Sequence, residues 1–426
     1  MERMKASKYV IEVAHTEGSV VLYHLRTNEL LRVSEQAYAS LKGLSETEQT
    51  TLDPYVRGFF RRGFCVPAEM DESARFFEQY LRFSEIGSEE LSFTIAATTL
   101  CNYRCPYCFE EGARADTLTE HSCDAICDFM ERMASQTEGI RSIHIKWFGG
   151  EPLLAYDGML RISERILNFC TRHNLSLYTR IITNGSLLTD EMVSALLPFG
   201  LKSIQITMDG TCDDYCRNKG TTKENYETVL SLLDRLCEKV RFNIRLNVVS
   251  DNLSSLKDLA TELYRNERIR NHVTLYPAQV ESHAVPVLSA TEYRTAHADF
   301  LQHLLSLGWH FQIKNALLER LNNACYGLDP QGYILDPLGN LYDCEMHIGT
   351  PSLRFATILE DRASLLAKKQ AARKAFERSL SAKCLACAYF PLCFSGCPYK
   401  RREDEACLAF QGQVLDTLKL VAQISG

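Results

Sequence analysis

The sequence predicts an α/β protein: a partial (β/α)6, TIM-like barrel flanked by a small N-terminal α+β domain of winged-helix-like order and a cysteine-rich C-terminal domain. Three observations predict it. From Leu91 onward, short apolar runs alternate with helical stretches, the pattern of a parallel sheet. Before that point, residues 8–33 alternate apolar and polar positions, as short antiparallel strands do. After about residue 310 the alternation fades and cysteines crowd together, the texture of a domain folded around metal clusters. The expected divisions are 1–88, 89–310 and 311–426.

Taken in order, Gly18 and Asn28 mark turns between two or three strands, and Ser34 opens a helix. Ser45 followed by Glu48 reads as a capping box for a second helix, and the run Gly63 to Pro67 as a short extended piece. The six expected barrel strands are Ser92–Ala97, Ser142–Trp147, Tyr178–Thr183, Lys202–Met208, Phe242–Val249 and Val273–Pro277. Their C-terminal ends are where such a fold places its chemistry. Cys123, Ile126, Cys127 and Met130 fall on one helical face and read as core.

Composition narrows the function. At 426 residues with 46% hydrophobic content, the chain exceeds what one core usually serves. A formal charge of -7 gives no general attraction for nucleic acid or anionic lipid, so neither partner is expected. The first residues lack an apolar signal core, and no run of about 18 uncharged apolar residues occurs, so no membrane partner is expected and the expected location is cytoplasmic. Seventeen cysteines in such a chain call for metal or cluster ligation, because disulfides rarely persist in a reducing compartment.

Cys101, Cys105 and Cys108 form C-x3-C-x2-C immediately after the first barrel strand. Three thiolates on a tight loop suit three corners of a 4Fe-4S cluster and leave one iron open. A structural zinc site asks for four ligands, and no fourth follows locally. The segment Cys101-Asn102-Tyr103-Arg104-Cys105-Pro106-Tyr107-Cys108 resembles the signature of the radical SAM family. That resemblance implies S-adenosylmethionine (SAM) bound at the open iron, its reductive cleavage to a 5'-deoxyadenosyl radical, and an external flavodoxin- or ferredoxin-type electron donor.

Further segments are similar to the same family. Gly149-Gly150-Glu151-Pro152 resembles the stretch that binds the methionyl amino group: glycines permit close backbone approach and Glu151 can accept from an ammonium. Read alone, the same four residues are also a turn. Thr183-Asn184-Gly185 and Thr207-Met208-Asp209-Gly210 end the third and fourth strands, where the family contacts the cofactor's ribose and carboxylate. The resemblance thus makes Tyr107, Gly149, Gly150, Glu151, Asn184, Thr207, Arg217 and Asn247 the cofactor-binding candidates. The segment leading to Arg217 is two residues shorter than the family pattern, and an Asn in a strand, as at 247, also serves to satisfy a neighbouring backbone group.

The C-terminal cysteines resemble the SPASM extension of peptide-modifying radical SAM enzymes: Cys325, Cys344, Cys384, Cys387, Cys393, Cys397 and Cys407. The family arrangement implies one auxiliary 4Fe-4S cluster on Cys384, Cys387, Cys393 and Cys407, and another on Cys325, Cys344 and Cys397 with either an open iron or a non-cysteine ligand. Glu345 stands where sulfatase-maturing relatives carry a general base, although a Glu there also suits an ordinary surface. Residues 8–83 resemble a PqqD-like element that binds leader peptides, with a structural cap as the plainer reading. Together these imply a maturase of ribosomally made precursor peptides forming a thioether, a carbon-carbon cross-link or a related change. A sulfatase-type maturase making formylglycine, and a zinc-stabilised peptide-binding protein without redox chemistry, are the competing readings.

Overall fold

Strands form where the sequence alternates. A computed structural model of the chain describes residues 3–44, 53–86, 89–110, 115–282, 285–313, 325–397 and 404–424. The N-terminal segment contains β1 (Met4–Ala6), β2 (Val10–Thr16), β3 (Ser19–His24), β4 (Glu29–Ser34), α1 (Glu35–Gly43), α2 (Pro54–Arg61), β5 (Cys65–Pro67) and α3 (Glu72–Ile86). Strands β2, β3 and β4 make an antiparallel sheet, and β1 pairs separately with β5. Ser34 caps α1 through the Ala37 amide, as expected. Helix α2 is capped by Asp53 with Pro54 in its first turn; the expected capping box at Ser45 and Glu48 lies outside the described residues.

The barrel follows as β6 (Glu90–Thr98), α4 (Glu120–Ser135), β7 (Ser142–Gly149), α5 (Tyr156–His173), β8 (Ser176–Thr183), α6 (Asp190–Leu196), β9 (Leu201–Met208), α7 (Cys212–Lys219), α8 (Lys223–Leu236), β10 (Arg241–Val248), α9 (Leu253–Arg265), α10 (Glu267–His272), β11 (Val273–Gln279) and α11 (Ala290–Ser306). The six strands pair in sequence order and in parallel, an arrangement consistent with a partial barrel. All six expected strands are present, shifted by no more than two residues at either end.

Each barrel strand has two unlike faces. One carries a buried row: Ile143, Ile145 and Trp147 on β7, Ile204, Ile206 and Met208 on β9, and Phe242, Ile244 and Leu246 on β10. This row faces the helices, as Phe93 shows by meeting Phe129 of α4 edge-on at 6.1 Å. Thr119 opens α4 through a capping box with Ser122, and the stripe of Cys123, Ile126, Cys127 and Met130 is buried, so those cysteines are core as expected. The inner row is polar and half-open: His144 and Lys146, Tyr178 and Arg180, Gln205 and Thr207, Asn243 and Arg245.

The sheet continues beyond the expected barrel. β12 (Gly332–Leu335) adds parallel to β6, and β13 (Asn340–Tyr342) and β14 (Ala356–Thr357) follow antiparallel, giving nine strands. Ile334, Tyr342 and Ile348 pack with Ala96 and Phe148 on the inner face. Helices α12 (Arg362–Arg378), α13 (Ala382–Ala386), α14 (Phe390–Cys393) and α15 (Asp404–Ile424) complete the chain.

Compactness does not follow the linear divisions expected from sequence. Residues 84–296 and 324–375 form one unit, and 1–83, 297–323 and 376–426 form the other. In the second unit, Phe410, Val414, Leu418 and Ala422 of α15 share a core with Tyr9, Val13, Val21, Tyr23 and Leu25 of the N-terminal strands. Among the described residues, no helix is long and apolar enough to cross a membrane.

Candidate active site

Because β6 to β11 are parallel, the loops after β6, β7, β8 and β9 open on one edge of the sheet. The first carries Cys101, Cys105 and Cys108, all half-buried thiols. Cys101 Sγ accepts from the Tyr103 amide at 3.4 Å and lies 4.0 Å from Asn184 Nδ2; Cys105 Sγ lies 4.0 Å from the Lys219 carbonyl. Burial pushes all three thiols up, Cys108 to about 11. As thiols they are buried with few partners, and as thiolates they need a cation, which suits a site for a cationic iron centre.

The second loop is a close backbone approach. Gly149 has φ +114°, and a Cβ there would sit 2.1 Å from the Thr98 carbonyl; at Gly150 it would meet the Leu100 carbonyl at 2.3 Å. The Gly150 and Glu151 amides donate to those same carbonyls at 3.0 and 2.8 Å, so the glycines knit this turn onto the start of the cysteine loop. Glu151 is fully buried. Its carboxylate accepts from the Leu153 amide at 3.1 Å, Thr183 Oγ1 at 2.7 Å and the Asn184 amide at 2.7 Å. In this structure it braces the end of β8 rather than presenting an open carboxylate, and burial lifts it to about 7 against those hydrogen bonds.

Asn184 continues the brace, donating to Asn102 Oδ1 at 2.8 Å within the cysteine loop. At the end of β9, Asp209 is completely buried; Oδ2 accepts from the Tyr107 hydroxyl and stands 3.6 Å from Lys219 Nζ. Among the described residues Asp209 Oδ1 is buried without a hydrogen bond, an acceptor suited to a ligand donor. Tyr107 is therefore tied to the strand end, with Lys219 5.4 Å above its ring. Thr207 is half-buried on the inner row, opposite Arg245. Asn247 is buried, and its Oδ1 accepts from Arg245 Nε at 2.9 Å. Arg217 is 54% exposed and pairs with Asp214 at 2.5 Å and Asp251 at 3.3 Å.

On the inner row, Glu345 accepts from Lys146 and lies 3.5 Å from Thr94 Oγ1. Glu110, two residues after Cys108, has a buried oxygen without a partner among the described residues, and burial with the Glu345 charge lifts it to about 8. Sequence reasoning missed Glu110, Lys146 and Lys219. The signal for Lys146 was available, a lone cation inside an apolar strand; Glu110 and Lys219 become visible only once loop and helix end are packed together.

The C-terminal cysteines divide between the two units. Cys384, Cys387, Cys393 and Cys407 line one cavity of about 120 Å³ with Phe390 and Phe410. Ser395 Oγ donates to Cys384 Sγ at 3.3 Å. Phe394, Ser395 and Gly396 all have positive φ, which turns the chain sharply after Cys393. These four thiols share one small, mainly apolar cavity, while among the described residues no three Cys, His, Asp or Glu side chains are gathered closely enough to hold a single metal ion. Cys325 and Cys344 belong to the barrel unit and Cys397, which is exposed, to the other.

Comparison with known proteins agrees with this geometry. The radical SAM superfamily pattern matches residues 95–263. The chain is 23% identical over 340 residues to a cysteine-type anaerobic sulfatase-maturating enzyme of Clostridium novyi, covering 72% of this chain and 87% of that one. It spans about half the length, 47% and 43%, of two further curated relatives. Among solved structures, anSMEcpe with bound AdoMet and a Cp18Cys peptide superposes with TM-score 0.60 at 18% identity, over 79% of this chain and 98% of that one. Streptococcus suis SuiB bound to precursor peptide SuiA superposes with TM-score 0.54 at 13% identity, over 95% and 99%. This chain carries a radical SAM domain over residues 95–263.

Proposed function

We propose that the chain is a radical SAM peptide maturase that modifies a ribosomally made precursor peptide. The observation that carries the reading is the pairing of a three-thiol loop at the barrel's cofactor edge with a separate four-thiol cavity. Cys101, Cys105 and Cys108 would hold the SAM-binding 4Fe-4S cluster, with Gly149, Gly150, Asn184, Thr207 and Asn247 lining the cofactor site; Cys384, Cys387, Cys393 and Cys407 would hold an auxiliary cluster. When bound, these groups supply a 5'-deoxyadenosyl radical and electron acceptance.

The chain's own residues do the rest. Glu151 and Asn184 fix the loop ends, and Tyr107 and Asp209 hold the cysteine loop against β9. Joining two peptide atoms in a thioether or carbon-carbon cross-link removes two hydrogens, one of them as a proton. Glu345, which pairs with Lys146 on the inner row, would accept it. The three-stranded N-terminal sheet supplies an edge for a leader segment to extend by backbone hydrogen bonds. A flavodoxin or ferredoxin supplies electrons, and the setting is the cytoplasm.

A second reading, a cysteine-type sulfatase maturase, draws on the Clostridium novyi relative and on Glu345 beside Cys344. Mass analysis separates the two. Reduced, anaerobic enzyme incubated with SAM and the peptide encoded by the neighbouring short reading frame is expected to yield 5'-deoxyadenosine and a product lacking two hydrogens. Conversion of a sulfatase-derived peptide Cys to formylglycine, with no change to the neighbouring peptide, supports the second reading and contradicts the first.

A further inference from the structure

We propose that the inner face of the barrel, where Arg180 of β8, Lys202 of β9 and Arg241 of β10 lie on neighbouring strands, binds an acidic stretch of the peptide substrate. The inference rests on the peptide reading above and adds the chemistry by which the substrate is chosen.

Arg180 lies mid-strand on β8, with paired strands on both sides, yet it is exposed. It forms no ion pair or hydrogen bond among the described residues, and the neighbour whose titration its charge affects is His144. A guanidinium fits a central strand when its face lines a wet cavity and a ligand carboxylate can meet its fork. Lys202 reaches the same face by an irregularity: Thr179 pairs with Leu201 and Arg180 with Ser203, so Lys202 is the extra residue of a β-bulge. Its ammonium stands 4.7 Å from the Tyr178 ring, which in turn lies 4.9 Å from the His144 ring on the inner row. Arg241 opens β10 opposite Ser203, is exposed, and reaches Thr274 Oγ1 at 3.5 Å.

Carboxylates also lie on or beside this face among the described residues, Glu110 near Glu345 among them. Glu345 is taken by Lys146, and Glu90 stands 3.6 Å from His144 Nε2. The chain as a whole carries -7, so a local excess of cations inside the barrel runs against its average. Three cations on three successive strands span about 10 Å, because neighbouring strands lie about 4.8 Å apart. That spread exceeds what one compact phosphate covers and lets more than one carboxylate of an extended acidic peptide, about 6.6 Å apart on alternate residues, reach a cation.

Anaerobically purified full-length protein, titrated into fluorescein-labelled hexaglutamate, tests this by fluorescence anisotropy. Hexaglutamate is expected to bind about tenfold tighter than hexaglutamine. The preference should shrink when salt rises from about 0.1 M to about 1 M, which shortens the screening length from about 10 Å to about 3 Å. Arg180→Gln and Lys202→Gln should each weaken hexaglutamate binding about threefold, and Arg180→Lys should retain most of it. Equal affinity for the two peptides, indifference to both Gln variants, or preferential displacement by GTP or inorganic phosphate overturns the proposal. SAM cleavage is assayed on the same wild-type preparation. Cleavage without acidic-peptide binding overturns this inference alone, whereas absence of cleavage overturns the maturase reading.

Discussion

The two cysteine-bearing sites are built on opposite principles. The loop of Cys101, Cys105 and Cys108 is pinned by the ends of parallel strands: the Gly149–Gly150 turn, Asn184 after β8 and Asp209 after β9 all grip it. The cavity of Cys384, Cys387, Cys393 and Cys407 is built from short helices and a left-handed turn at Phe394 to Gly396. The first site offers three thiols beside an unsatisfied buried acceptor, Asp209 Oδ1, and the second four thiols around a small cavity. The difference teaches where chemistry and where support should lie. A site that must present an open position to a ligand sits on the most rigid part of the fold, while a closed site can be carried by turns.

The largest effect expected from this contrast is all-or-none. Replacing Cys101, Cys105 and Cys108 by Ala should reduce 5'-deoxyadenosine formation to background, whereas replacing Cys384, Cys387, Cys393 and Cys407 should spare cofactor cleavage, remove about four irons per chain, and block peptide product. Cofactor cleavage by the first variant, or loss of cleavage in the second, breaks the division of labour.

Backbone strain comes next. Gly149→Ala meets both a positive φ and the Thr98 carbonyl at 2.1 Å, so it should cost at least about 1–3 kcal/mol of stability from strain alone, read by denaturant unfolding. Gly139, with positive φ and nothing near its Cβ, should be milder.

Much of this architecture was legible in advance. The six strands announced themselves as short apolar runs, each followed by a helical stretch, and the α4 cysteines declared themselves core by helical spacing. The strands at 332–357 were not legible, being two to four residues long and carrying too little alternation to stand out. Nor could the pairing of α15 with the N-terminal sheet be read, since it joins residues some 400 apart through generic apolar contacts. In the site, the candidate ligand residues were named by motif. The supporting Asp209–Lys219 pair and Glu110 were not, because burial that makes a charge informative is a property of the packed loop.

Two smaller effects sharpen the account of that support. Tyr107→Phe removes the hydroxyl that Asp209 accepts from, deep in the protein, and should destabilise by about 1–3 kcal/mol while weakening SAM binding. Glu151 tests the brace through pH. Its folded value, about 7, lies above the ordinary one, so the folded state binds more protons between pH 4.5 and about 7. Its contribution is fully present below pH 4.5 and lost as pH rises through 7, a fall of roughly 3 kcal/mol. Glu151→Gln should flatten that slope in the metal-free protein, and an unchanged slope contradicts the assignment.

The most direct test of the central claim is electron paramagnetic resonance of the reduced, anaerobic variant lacking Cys384, Cys387, Cys393 and Cys407, recorded with and without SAM. A cluster signal that shifts when SAM is added, with that SAM response lost when Cys101, Cys105 and Cys108 are also replaced, is the predicted result. The absence of any SAM-responsive signal, or a SAM response that survives loss of those three thiols, contradicts it.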